Sequence, residues 1–369
     1  MVAIYNIILI LILFFTIVCR FLNNPQYKKY FFILFFLMLG SISAFRYEVI
    51  FSDFLRYTYH VIDAYKMSWN DIFAHGDFFN ALFQKIIIQL FHDPQYYFIF
   101  SGYFIAFAFL FVGYKFCENI CVYVFLFYTT FTYFVMHNIT RQGIAAGWLC
   151  LSLYYLMTNR KKLSLIFYVT AAFFHMSSLI FAFAYLLKYF SINSKTIAFY
   201  VLLLILLLFL YPHFISIVQL FAYEDYDENS FGMTPAKIYN IITIIPVLHA
   251  IFYLLTDKTK AYLLGQNGVF SQDKINILIH GSFLYCIFVI LCCARAGIFM
   301  RVANIFVLFP MLCITEALSR ISNYRRIYFI AILYIIGIAI FTVSNLNAKL
   351  YPSPYHFFWE IDNRPTLIK

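Results

Sequence analysis

Apolar residues fill most of this chain in blocks longer than a soluble core needs. Residues 4–19 and 197–210 carry no charge at all, and roughly 20 apolar residues in a helix cross a hydrocarbon layer about 30 Å thick. Eleven such blocks centre near residues 12, 37, 105, 128, 150, 175, 207, 246, 284, 309 and 336. Helix is the element expected for each, because lipid offers no hydrogen-bond partner to open backbone. The repetition excludes a cleaved leader on a soluble protein. The expectation is an all-α, polytopic transmembrane helix bundle of about ten crossings, built as a single integral-membrane domain over residues 1–369.

Two stretches interrupt the pattern. The first, residues 46–95, contains Phe78–Phe91, where apolar residues recur at Phe78, Phe79, Leu82, Phe83, Ile86, Ile87, Leu90 and Phe91, with Asn80, Gln84, Lys85 and Gln89 between them. That is helical periodicity with a polar stripe, and 14 residues are too few to span. The segment reads as an interfacial helix on the outer face. The second stretch, residues 223–237, carries Glu224, Asp225, Asp227 and Glu228 and reads as an outer acidic loop.

Composition supports lipid as the main solvent: 64% of residues are hydrophobic and 11% charged, with a mean hydropathy of +0.83. A net charge of +10 suggests nucleic acid in a soluble chain, but here it follows from Lys and Arg held in cytoplasmic loops, and no nucleic-acid partner is expected. The eight Cys form no CxxC pair, so neither a disulfide framework nor a zinc site is expected.

The segment Leu163–Leu187 decides the topology, since Arg160, Lys161 and Lys162 precede it and Lys188 and Lys195 follow. A single crossing divides the basic residues evenly between the two faces. A broken or re-entrant pair of half-helices, interrupted around His175-Met176-Ser177-Ser178, concentrates them inside, as the positive-inside bias requires. Such breaks are tolerated at membrane depth where they line a cavity.

On this topology Arg46, Arg56, Arg141, Arg295, Arg301 and Arg364 face outward. The first five adjoin or interrupt apolar segments, where a charge is costly unless it has a use. The bland reading is a helix-end Arg reaching the headgroups. The sharper one is an anion site, because a guanidinium forks onto phosphate and keeps its charge. Arg141 stands in His137-Asn138-Ile139-Thr140-Arg141-Gln142-Gly143-Ile144-Ala145 at a helix start, a positive focus suited to diphosphate. Gly143, Ala145, Ala146 and Gly147 leave room for a neighbouring helix. His175 is suited to proton transfer or to donating to phosphate, although a lone His is more often a bonded core residue. Asp53, Arg56 and Tyr57 share one face if their stretch is helical. Asp53 there is a candidate to remove a hydroxyl proton, with Glu48 as second choice, or else a structural partner of Arg56. Arg295 and Arg301 bracket a short outer turn. No metal site is expected, and there is no Walker A loop.

These residues resemble the EpsG-like branch of the Wzy family of O-antigen and exopolysaccharide polymerases. The matching elements are Arg46 with Asp53 and Tyr57, Asn138 to Ala145, Phe174-His175-Met176-Ser177, Arg301 with Phe306 and Phe309, and Pro354-Tyr355. The resemblance implies a metal-independent glycosyltransferase, without cofactor, in the bacterial inner membrane. It would use undecaprenyl-diphosphate-linked oligosaccharides as donor and acceptor, and a chain-length regulator is a further expected partner. Asp53, His175 and Arg141 are then the expected catalytic residues, with Arg46, Asn138, Gln142, Arg295, Arg301 and Tyr57 binding substrate. A lipid-linked oligosaccharide flippase needs the same cationic cavity but no acid or base. A ligase shares the donor and differs in the acceptor, and a membrane acyltransferase would use His175 as base.

Overall fold

The computed structural model describes residues 3–21, 26–46, 54–130, 132–221, 242–264, 272–294, 298–321, 323–346 and 357–360. Within them the structure is helical throughout apart from one isolated antiparallel bridge, Arg46 to Phe357. The chain gathers into two units, residues 1–179 with 337–369, and residues 180–336.

The first unit begins with α1 (Ala3–Phe21), α2 (Gln26–Ala44) and α3 (Phe54–Lys66), followed by α4 (Trp69–Ala74), α5 (Phe78–Phe91) and α6 (Gln95–Phe116). Then come α7 (Ile120–Thr129), α8 (Thr132–Asn138), α9 (Thr140–Met157) and α10 (Lys161–Phe174), and a 3-10 turn over Met176–Phe181. Side-chain caps punctuate the series. Ser68 and Asp71 form a reciprocal capping box on α4, and the Asn119 side chain accepts the amides of Cys121 and Val122 at the start of α7.

Helix α9 packs on α6 across its small residues, as expected: Gly143 lies against Ile105, and Gly147 against Phe104 and Ala108. Helices α9 and α10 form an antiparallel pair closed by residues 158–160, with Asn159 at φ 61°. Ser152 and Ser164 hydrogen-bond across the pair. Phe167 stacks on Tyr155 and Trp148, and Phe174 on Trp148. The pairing therefore returns the end of α10 to the start of α9.

The break expected at His175 is present. Helix α10 stops at Phe174, His175 is extended (φ −160°, ψ 115°), and the 3-10 turn follows. Tyr168 Oη donates to the Leu179 carbonyl at 2.9 Å. Eleven residues along a straight helix separate two positions by about 16 Å, so the chain reverses at this break.

Helix α5 occupies the expected residues, but its polar stripe points elsewhere than a water-facing helix requires. Asn80, Gln84 and Lys85 are buried, whereas Ile86, Leu90 and Phe91 are exposed. The cause is local pairing. Asn80 Oδ1 accepts from Tyr97 Oη at 2.9 Å, and Lys85 Nζ donates to the carbonyls of Ala64, Tyr65 and Met67 at the end of α3. A cation on unsatisfied C-terminal carbonyls is favourable.

The second unit holds α11 (Ala182–Leu187), α12 (Ser194–Phe221), α13 (Ile244–Leu264), α14 (Gln272–Ala294), α15 (Ile298–Phe306), α16 (Leu308–Arg320) and most of α17 (Asn323–Leu346). Tyr200 and Phe190 clamp His280 between them: Tyr200 Oη to Nδ1 at 2.7 Å, Nε2 to the Phe190 carbonyl at 2.9 Å. A bend of 44° separates α15 from α16. Pro310, three residues into α16, has no N–H for the Phe306 carbonyl, which accounts for it.

Among the described residues four helices are long and apolar enough to cross a membrane: Gln26–Ala44, Gln95–Phe116, Ser194–Tyr211 and Asp273–Ala294. Counting two bent pairs as single spans gives six. The remaining expected crossings are broken or shorter pieces, such as α10 with its 14 residues. Asp53, Glu48, Arg295, Arg364, Pro354-Tyr355 and the acidic stretch 223–237 lie outside the described residues.

Candidate functional site

The motif residues of the first unit converge where α9 begins. Helices α8 and α9 meet in a corner at Ile139, and Gly143 allows it: a Cβ at that position would stand 2.0 Å from the Met136 carbonyl oxygen. Only glycine lets one helix pass so close to the other's backbone. Arg46 braces the same corner. Its guanidinium donates to Ser43 Oγ at 3.1 Å and to the His137 carbonyl, which also accepts from Thr140 Oγ1 at 2.8 Å. Arg46 is buried, so here it acts as a strut that orients the Asn138–Gln142 corner. Asn138 is half-buried at the end of α8, and Gln142 is buried.

Arg141 and His175, 34 residues apart in the chain (175 − 141), are brought together by a residue the sequence reading did not single out, Asp77. Arg141 Nη1 lies 2.8 Å from Asp77 Oδ2, and His175 Nδ1 lies 3.6 Å from the same oxygen. The second carboxylate oxygen, Oδ1, accepts the Met176 amide at 3.2 Å. One carboxylate thus ties the loop before α5 to the start of α9 and to the break after α10. Side-chain exposure is 5% for Asp77, 20% for Arg141 and 17% for His175. The acid is enclosed, while its two partners keep an open side. At 3.6 Å the His175 contact is longer than a hydrogen bond.

Burial alone would raise the Asp77 pKa, but His175, the Arg141 charge and the Met176 amide together outweigh it and leave the carboxyl below its usual range. Asp77 is therefore ionised at neutral pH. His75 precedes it in the same loop, and its Nδ1 accepts the Asp77 amide at 3.2 Å. His60, on α3, lies edge-on to Tyr57. Burial, with the positive charge of Arg141, lowers the pKa of both His60 and His75, and Arg56 adds to the effect on His60. Both imidazoles are consequently neutral at pH 7. The hydroxyls of Ser177 and Ser178 are buried beside the break.

Of the residues expected to act together, the structure joins Arg141 and His175, sets Asn138 and Gln142 beside them in the chain, and leaves Tyr57 half-buried and Arg56 exposed on α3. Arg301 is half-buried on α15 in the second unit. Among the described residues no three His, Cys, Asp or Glu side chains are placed to hold a metal ion.

Compared with known families, the chain matches the EpsG family over residues 29–357, nearly its whole length. The chain belongs to the EpsG family. No curated protein and no solved structure matches it. Every described residue of the Asp77, Arg141 and His175 cluster lies inside the EpsG match, as do Arg46 and Arg301. Membership points to an exopolysaccharide-polymerase type of glycosyltransferase in a membrane, in keeping with the long apolar helices.

Proposed function

We propose that this EpsG-family protein is a polysaccharide polymerase that joins undecaprenyl-diphosphate-linked oligosaccharide repeat units at the outer face of the bacterial inner membrane. The observation that carries the reading is the meeting of Arg141 and His175 on Asp77, each with a smaller part of its side chain exposed, at one corner of a chain with this family membership. In the reaction the bond between the donor's anomeric carbon and the carrier diphosphate breaks. An acceptor sugar hydroxyl attacks that carbon and loses its proton, and the lipid diphosphate departs as an anion.

Each side chain suits one of these demands. Negative charge grows on the leaving diphosphate, and preorganised donors in a partly dry site stabilise it more than water does. Asp77 holds Arg141 through Nη1, and the planar, permanently charged guanidinium has the geometry that suits phosphate oxygens. The Ser177 and Ser178 hydroxyls, buried next to His175, are suited to add donors of their own. His175 takes the acceptor proton, since an imidazole exchanges protons near neutral pH.

The test is the length distribution of the surface glycan in cells that rely on this chain. Wild type should give long chains and Arg141→Ala single repeats. Normal lengths in Arg141→Ala would contradict the assignment. A complete absence of surface repeats in a deletion strain, rather than single repeats, would point to a flippase instead.

A further inference from the structure

Resting on that reading of the site, we propose that Asp77 is its positioning residue: its carboxylate holds the His175 ring with Nδ1 protonated and facing it, so that Nε2 is the nitrogen presented to the acceptor hydroxyl. An ionised carboxylate only accepts hydrogen bonds. The ring nitrogen turned towards Asp77 Oδ2 is Nδ1, at 3.6 Å, so the tautomer that carries its proton there is the one stabilised. The lone pair then sits on Nε2. Catalytic contacts of this kind are often long before substrate binds and shorten in the complex, and a movement under 1 Å would make this one a hydrogen bond.

The remaining contacts show why Asp77 holds the ring and is not itself the base. Its oxygens are taken by Arg141 at 2.8 Å and by the Met176 amide at 3.2 Å, and it is 3% exposed. A hydroxyl arriving from the open side meets Arg141 and His175 first. The Met176 bond fixes the backbone next to His175, so one side chain sets both the position of the ring and its proton. Among the described residues, Asp77 is the charged group set against His175, and Arg141 shares its oxygen. His75 adjoins Asp77, and His60 feels the charges of Arg56, Arg141 and Asp63. During transfer the acceptor's O–H proton passes to Nε2, the new glycosidic bond forms, and the carrier diphosphate leaves with the bonding electrons. The imidazolium formed is stabilised by the adjacent carboxylate and later returns its proton to solvent.

The experiment is nitrogen NMR of ring-labelled histidine in the purified full-length protein, with His175 assigned by its loss in His175→Gln. Wild type should show Nδ1 protonated and Nε2 bare when the ring is neutral, and the opposite tautomer would overturn the proposal. In Asp77→Asn the pH midpoint of His175 should fall by about one unit, because a stabilising negative charge is gone. The acid limb of kcat should move with it, and kcat should drop by about 100-fold or more. An unmoved midpoint together with an unmoved pH profile is the result expected of a purely structural ion pair, and it too would overturn the proposal. The wild-type tautomer decides the matter even if Asp77→Asn does not accumulate. The spectra do not depend on the substrate, so absence of chain lengthening in wild type would sink the polymerase reading and leave the Asp77 test standing.

Discussion

A single carboxylate oxygen facing both a guanidinium and an imidazole makes the charge at this site conditional. At rest Asp77 cancels most of the charge of Arg141, 2.8 Å away, and an arriving diphosphate must compete for the same guanidinium. Arginine manages this because its fork holds two partners at once, whereas lysine is a point charge. Arg141→Lys is therefore expected to keep the fold and lose about 10- to 100-fold in kcat/KM, the cost of 1.4 to 2.7 kcal/mol of transition-state binding. Steady-state kinetics on lipid-linked repeats checks this, and unchanged kinetics would contradict the forked role. The pH dependence follows from the depressed Asp77 pKa. A carboxylate lowered in the folded state contributes stability fully above its unfolded pKa of about 4, and the contribution disappears as pH falls through the folded value. The melting-temperature difference between wild type and Asp77→Asn in detergent should thus shrink as pH falls below about 4. At this scale Arg141 and His175 were legible, because each stands in a short motif or at a break in an apolar run. Asp77 was not. It sits in a brief His75-Gly76-Asp77 loop that reads as a turn, and its partner amide at Met176 lies 99 residues away, with no spacing to announce it.

Two elements hold the site in shape, and each can be loosened separately. The corner between α8 and α9 exists because Gly143 has no side chain to strike the Met136 carbonyl. Gly143→Ala should force the helices apart at a cost of about 1–3 kcal/mol, move Arg141 away from Asp77, and lower kcat far more than a surface alanine does. A crosslink or distance measurement between α8 and α9 would detect the opening. Lys85 is the second device. Its ammonium gathers three carbonyls at the end of α3, so Lys85→Met should destabilise the α3–α5 pair by about 1–3 kcal/mol, with a lower melting temperature and faster proteolysis in residues 54–67. Unaltered stability would mean that the lysine is dispensable. The stripe of Asn80, Gln84 and Lys85 was plain in the sequence, and so was the helix that carries it. Which way the stripe faces was not, since periodicity defines a polar side and leaves open whether water or buried carbonyls satisfy it. In a membrane protein the interior is often the polar choice. Here Tyr97 and the end of α3 supply the partners.

For the whole chain, composition alone carried the main conclusion, because no soluble core absorbs so much apolar surface. Helix α12 is the clearest case: only 6% of its apolar window is buried within the protein, in keeping with a helix that faces lipid. The expected reversal at His175 came from charge bookkeeping in the flanking loops, and the Tyr168 to Leu179 bond agrees with it. The number of crossings was less legible, since hydropathy marks apolar blocks without showing whether a block is one straight helix. Helices α15 and α16 form a single block bent between Phe306 and Leu308, and α10 is too short to span alone. In this EpsG-family membrane protein, Arg141, Asp77 and His175 meet at one corner. The direct test is chain lengthening by purified protein in lipid vesicles, given only lipid-diphosphate-linked repeat units and followed as a ladder on a gel. The account predicts a ladder from wild type and none from Arg141→Ala or His175→Ala, and ladders of equal length from all three would contradict it.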